Sequence, residues 1–163
     1  MEFDKLCIIC LARYQPVTKN LRTVVSVIKI NGDLERISDH CVNIAQSAEF
    51  LIANPTGKSY EFLAEMAQKV MDMTQLTIKA FITEDCYLAN KLMRGDDEID
   101  KLQDQAIAKG IELMQKQNQL IPSVLRLINI AKNLERIADL NTNICEEIIY
   151  FSGGTVTKHH TIS

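Results

Sequence analysis

Tryptophan is absent, and phenylalanine and tyrosine bring aromatic content to only 6%. Leucine, isoleucine, methionine and alanine carry the apolar share instead, a balance that suits helices better than sheets. No window alternates apolar and polar residues between turn signals, so no strand is expected. The longest unbroken apolar run, Leu6 to Ala12, is too short to cross a bilayer. It follows Glu2 and Asp4 and has no basic leader, which makes it a poor signal peptide. Positive charge is not in excess: the formal net charge is −3, against a general nucleic-acid binder. Five cysteines, an odd number scattered through apolar patterns, read as reduced core thiols of a cytoplasmic protein. Cys7-Ile-Ile-Cys10 has CxxC spacing, but no second pair completes a zinc site, and two helix positions one turn apart explain it as well. No Ser/His/Asp or Cys/His arrangement, phosphate-cradling glycine loop or ExxH pair is found, so an enzyme is not expected.

What is present is a repeat. Asn133 to Asp139 reads Asn-Leu-Glu-Arg-Ile-Ala-Asp, and Asp33 to Asp39 reads Asp-Leu-Glu-Arg-Ile-Ser-Asp. Each is followed by Asn-Ile, at Asn43-Ile44 and Asn143-Ile144. The register runs back without a gap through Ile30/Ile130, Ile28/Ile128 and Val24/Val124. A gapless match of this length points to a duplicated helix. With 47% apolar residues a packed core is available.

Taken in order, Glu2 to Arg13 reads as a short helix broken at Tyr14-Gln15-Pro16. A long helix follows from about Val17 to Ala53. Its apolar stripe falls at Val27, Ile30, Leu34, Ile37, Cys41, Ile44, Ala48 and Leu51, a seam for partner helices. Asn54-Pro55-Thr56-Gly57 is the clearest loop and the expected domain boundary. Ser59 is an N-cap candidate for a second long helix to about Met93, with apolar positions that include Leu76 and Tyr87. Gly95 is the stop and Asp96 the cap of the next helix. Pro122 marks a turn or the first turn of a last helix, which runs to about Phe151 and is stopped by Ser152-Gly153-Gly154. The expectation is one short helix and four longer ones. Residues 1–53 form an incomplete first bundle, 58–152 a complete antiparallel three-helix bundle and 153–163 a loose polar tail.

The acidic residues carry the candidate chemistry. Glu35 and Asp39 lie on one helix face about 40° apart, as do Glu135 and Asp139, away from the apolar seam. Glu146 lies close to the second stripe. Asp96 and Asp100 repeat the spacing at the start of the penultimate helix. Like charges four apart weaken an isolated helix by a few tenths of a kcal/mol, roughly, and a cation would relieve the repulsion. The competing reading is a solvated acidic face, with Arg36 and Arg136 as local counter-ions and Asp96 as a cap. His40, His159 and His160 read as surface histidines. Asn43 and Asn143 recur on the acid face, as ligands or as bonds to neighbouring helices.

On these residues the sequence resembles the PhoU family of phosphate-regulatory proteins. Leu34-Glu35-Arg36-Ile37-x-Asp39-His40 with Asn43-Ile44-Ala45, and Leu134-Glu135-Arg136-Ile137-x-Asp139 with Asn143-Ile144, are similar to its recurring helix. Gln15-Pro16 before Leu21-Arg22 is similar to its preceding turn, and Gly95-Asp96-Asp97-Glu98-Ile99-Asp100 to its helix start. The resemblance implies an all-α fold of tandem PhoU-like three-helix bundles, with multinuclear iron or zinc on acidic ExxxD or DxxxD faces. The implied ligands are Glu35, Asp39, Asp96, Asp100, Glu135 and Asp139. It also implies a cytoplasmic damper of phosphate signalling, peripheral to the inner membrane, that links the ATPase of the phosphate-specific ABC transporter to its sensor kinase.

The pattern is not matched everywhere. The chain opens inside what would be the second helix of the first bundle, so Glu35 and Asp39 are expected to lack partners and the seam from Val27 to Leu51 its full cover. A homodimer, with helices exchanged between chains, is one expectation; a shortened gene product is the other. Leu140 stands where the first copy has His40, and Gln46 where the second has Glu146, so the two acid faces are expected to be unequal. The alternative function is a structural helical adaptor without metal.

Overall fold

Residues with strong helix propensity, interrupted by few stop signals, fold into six α-helices and one turn of 3-10 helix in the computed structural model, which describes residues 2–56, 60–95 and 97–153. The helices are α1 (Glu2–Tyr14), α2 (Thr18–Ala53), α3 (Glu61–Thr83), α4 (Cys86–Met93), α5 (Asp97–Lys116) and α6 (Ile121–Ser152), with the 3-10 turn at Asn118–Leu120. No strand occurs among the described residues, and the fold is all-α. The expected cap at Ser59 and the expected loose tail, with His159 and His160, lie outside the described residues.

Helix ends show their local causes. Pro122 sits in the first turn of α6, where its missing N–H costs nothing. Gly153 ends that helix at φ 86°, its N–H returning to the Ile149 and Tyr150 carbonyls. The expected single helix up to Met93 is in fact two. Glu84 adopts a left-handed conformation (φ 51°), and the Asp85 N–H bonds the Ala80 carbonyl at 2.9 Å. The Asp85 carboxylate then accepts the Leu88 N–H at 2.9 Å and starts α4. A left-handed end usually announces itself with glycine, and here a glutamate occupies it at a cost of roughly 1–2 kcal/mol.

Helix α6 is the centre: α2, α3, α4 and α5 all pack on it. One part of the core joins Met66, Val70 and Met73 of α3, Ile99, Leu102 and Ala106 of α5, and Leu127, Leu134 and Ile137 of α6. A second part joins Ile30 of α2, Ala80 of α3, Ala89 of α4, and Ile148, Ile149 and Phe151 of α6. Ile37 packs against both. Gly110 lets α5 approach α6 closely. A Cβ there would stand 3.0 Å from Ile128 Cδ1 and 3.1 Å from Val124 Cγ1.

The two duplicated helices, α2 and α6, run antiparallel against each other. Hydrogen bonds descend one helix as they climb the other: Ser26 to Glu147 (2.7 Å), His40 to Asn133 (2.8 Å), Asn129 to Ser47 (3.0 Å) and Ser123 to the Asn54 carbonyl (3.0 Å). The pairs Lys29–Glu147 and Asn129–Ser47 use equivalent positions with the two copies exchanged. The helices are therefore related by a pseudo-two-fold axis close to Ile37 and Ile137.

This pairing corrects the expected seam. Ile30 is buried, and Ile37, Ile44 and Leu51 are half-buried, but Leu34 is 41% exposed and Cys41 also stays at the surface. The contact face of α2 is rotated towards Ser26, Asp33 and Ser47, all buried, because α6 offers hydrogen-bonding groups there. Leu76 (39% exposed) and Tyr87 (82% exposed) are likewise surface residues rather than core. Among the described residues, helix α1 packs only on α2, and its Phe3, Leu6, Ile8 and Ile9 are exposed.

Asp33 occupies the position of Asn133 in the other copy, and its carboxylate pairs with Arg36 at 3.1 Å. Burial raises the Asp33 carboxyl above its ordinary value, more than Arg36 lowers it; Glu147 adds to the rise and Lys29 opposes it. The ionised form therefore costs stability, a cost absent below the unfolded value and appearing as pH rises through the folded one. Asp33→Asn should melt at a higher temperature than the wild type near neutral pH. That difference should shrink as pH falls towards the ordinary Asp value of about 3.9, followed by thermal melts across pH. Gly110→Leu should destabilise by about 1–3 kcal/mol through overpacking against α6. Gly32→Ala, whose Cβ meets nothing within 4 Å, should stabilise by up to about 1 kcal/mol. Urea denaturation of both variants checks the contrast.

Candidate metal centre

The antiparallel pairing sets where each acid points. At about 100° per residue, Glu35 and Asp39 lie some 160° from Ile37, on the side of α2 turned away from α6. Glu135 and Asp139 stand in the same relation to Ile137, turned away from α2. The two acid pairs therefore face opposite ways and belong to separate sites.

On α2, Glu35 and Asp39 are both exposed. Arg36 is engaged by Asp33 rather than by either of them. On α6 the surroundings differ because α5 lies alongside. Glu135 is half-buried, and its carboxyl is pushed up first by burial, then by the charges of Asp139 and Asp100. A hydrogen bond with Gln103 and the charge of Arg136 pull the other way. Asp100 of α5 and Glu135 and Asp139 of α6 thus share one patch of negative potential. Asp96 lies outside the described residues. Among the described residues, no three histidine, cysteine, aspartate or glutamate side chains stand close enough together to hold a metal ion. In kind, the carboxylate oxygens of the α5/α6 face suit hard or borderline cations, but as they stand Asp100, Glu135 and Asp139 do not by themselves make a coordination set.

Other expected residues fall elsewhere. His40, expected at the surface, is half-buried, and its Nδ1 lies 2.8 Å from Asn133 Oδ1. The Asn43 amide donates to the same oxygen at 3.3 Å, so this asparagine bonds to the neighbouring helix. Asn143 and Glu146 line a cavity of about 330 Å³ between α2 and α6, with Asp33 and Glu147. Gly32 also lines it, at the position where the other copy has Lys132. Two residues escaped the sequence reading. Gln103 carried no signal of its own, since it meets Glu135 only through helix packing. Asp33 did carry one: it aligns with Asn133, polar in both copies and on the buried side.

The PhoU domain model matches residues 1–48 and 63–148. The chain belongs to the PhoU family. It is 34% identical over 160 residues to the phosphate-specific transport system accessory protein PhoU homolog 1 of Thermotoga maritima, covering 96% of this chain and 68% of that protein. With the corresponding PhoU homolog of Aquifex aeolicus it shares 33% over 162 residues, covering 99% and 73%. The crystal structure of PhoU from Pseudomonas aeruginosa superposes with a TM-score of 0.89 at 32% identity, covering 93% of this chain and 73% of that one. The phosphate transport system regulatory protein PhoU from Streptococcus pneumoniae superposes at 0.84 and 29% identity, covering 94% and 72%. The family is one of regulatory accessory proteins rather than enzymes. Among the described residues, no helix of this PhoU-family chain is long and apolar enough to cross a membrane.

The α5/α6 acid face makes a test independent of any ligand. Removing the Asp100 charge should bring the Glu135 carboxyl back towards its ordinary range. A carboxyl 13C NMR titration of Asp100→Asn beside the wild type should show Glu135 titrating at lower pH.

Proposed function

We propose that this chain is a PhoU-type regulator of phosphate transport that negatively regulates phosphate uptake and phosphate-starvation signalling in the cytoplasm. The observation that carries the reading is family membership over nearly the whole chain, with relatives named as accessory proteins of the phosphate-specific transport system. The duplicated Leu-Glu-Arg-Ile helix, paired with itself at the centre of the fold, supports it. The regulator acts through protein contacts, with the ATPase of the phosphate-specific ABC transporter and the phosphate sensor kinase as partners. A homodimer is part of the reading, and the exposed Phe3, Leu6, Ile8 and Ile9 of α1 are the surface that favours it.

Metal binding is the finer part. Asp100, Glu135 and Asp139, together with Asp96 of the sequence motif, which lies outside the described residues, are the stronger candidates; Glu35 and Asp39 are the weaker. A bound iron or zinc ion would supply positive charge where three carboxylates now repel. The alternative is a structural helical adaptor without metal, favoured by the hydrogen bond and the arginine that already partly satisfy Glu135.

Elemental analysis of purified protein separates the two. Near-stoichiometric iron or zinc, reduced at least about tenfold in Glu135→Ala and Asp139→Ala but little changed in Glu35→Ala, is expected for a regulator using the α5/α6 face. Trace metal, the same in all variants, would leave the adaptor. Association with the purified transporter ATPase, measured with and without added metal, tests the regulatory role itself. A solution mass at micromolar concentration tests the dimer.

A further inference from the structure

A groove of about 280 Å³ that neither Glu35 and Asp39 nor Glu135 and Asp139 line opens between α3, α4 and the start of α5. It exists because of the left-handed turn at Glu84. That turn folds α4 back along α3, and α5 also packs on α3, yet among the described residues α4 and α5 do not pack on one another. The eight residues of α4 are too few to close the space. Met73, Leu76, Leu88, Leu92 and Ile99 make its surface apolar.

The rim is charged but unevenly satisfied. Asp72 accepts a hydrogen bond from the Gln68 amide at 2.9 Å. Glu98 holds Lys69 at 2.9 Å. Lys91, exposed on the last turn of α4, has no ion pair among the described residues. One turn before it on the same helix, Tyr87 is 82% exposed, an amphipathic aromatic of the type that anchors protein interfaces. The volume is at or below the lower end of small-molecule sites, about 300 Å³, and no cluster of convergent polar groups lies inside. An apolar floor beside a lysine that has no ion pair among the described residues calls for an apolar group with a carboxylate next to it.

We propose that this groove is a docking site for a partner protein, which inserts an apolar side chain between α3 and α4 and pairs an adjacent carboxylate with Lys91. The proposal rests on the reading of the chain as a regulator that works through protein contacts. It adds which surface makes the contact and what the partner must present. The exposed face of α1 and the residues Glu35, Asp39, Glu135 and Asp139 do not line it.

The test measures affinity for the purified ATPase of the phosphate transporter, and for the sensor kinase, with four forms of the chain: wild type, Lys91→Glu, Leu76→Gln and Lys5→Glu on α1. The expected result is at least about tenfold weaker binding of one partner by Lys91→Glu and by Leu76→Gln, with Lys5→Glu like the wild type. Circular dichroism checks folding; should Leu76→Gln lose helicity, the exposed Lys91→Glu decides. Wild-type binding left unchanged by Lys91→Glu and a folded Leu76→Gln overturns the groove while leaving the regulatory reading in place. No wild-type binding to either protein overturns both. A fall in the solution mass of the chain in the groove variants, with partner affinity intact, would assign the groove to self-association and overturn the proposal.

Discussion

Helices α2 and α6 meet along almost their whole length, and most other features follow from how they meet. Their contact is half apolar, through Ile30, Ile37, Ile44 and Leu51, and half a ladder of side-chain hydrogen bonds that ends at Asn54 and Ser123. Apolar burial supplies most of the favourable free energy, since it scales with area and is indifferent to register. The hydrogen bonds supply register. A slide of one turn would strand buried groups such as Ser47 and Asn133, each at a cost of roughly 1–3 kcal/mol. Asn133 is the most connected of them, accepting from Asn43, meeting His40 and donating to the Asn129 carbonyl at 2.7 Å.

The duplication explains why one helix surface can serve both partners. A face that packs on its own copy about a two-fold axis must be complementary to itself, as in an isologous dimer. Here the symmetry is imperfect in an informative way. Around Asn133 the polar positions close into a network; around Asp33, with Gly32 in place of a lysine and Leu140 in place of a histidine, they leave a cavity. The two ends of one interface have diverged, one as a hydrogen-bonded clasp and the other as a set of ion pairs.

Much of this was legible in the residues. The repeat, the all-α class, the break at Pro16, the start at Pro122 and the stop at Gly153 each follow from local chemistry that one sequence displays. Helix periodicity also placed Glu35, Asp39, Glu135 and Asp139 correctly away from the apolar seam. Three things were not legible. The end of α3 at Glu84 has no glycine or proline to mark it, because the Asp85 cap and tertiary packing hold a residue that local preference would not choose. The rotation of the α2 contact face depends on serines and asparagines that look solvated until α6 supplies their partners. The approach of Asp100 and Gln103 to Glu135 depends on how α5 is placed against α6, which no spacing within a single helix encodes.

The opposed directions of the two acid pairs have an electrical consequence. Each helix is about 10–12 Å across with its side chains, so carboxylates on the outer sides of the pair are about 20 Å apart. At physiological ionic strength the Debye length is about 8 Å, and charges at that separation are largely hidden from each other by salt. A charge arriving beside Asp139 changes the potential at Glu35 very little. The two faces behave as separate terminals on one rigid rod pair, each read out by whatever lies next to it, and any communication between them has to be mechanical, carried by the packing of α2 on α6.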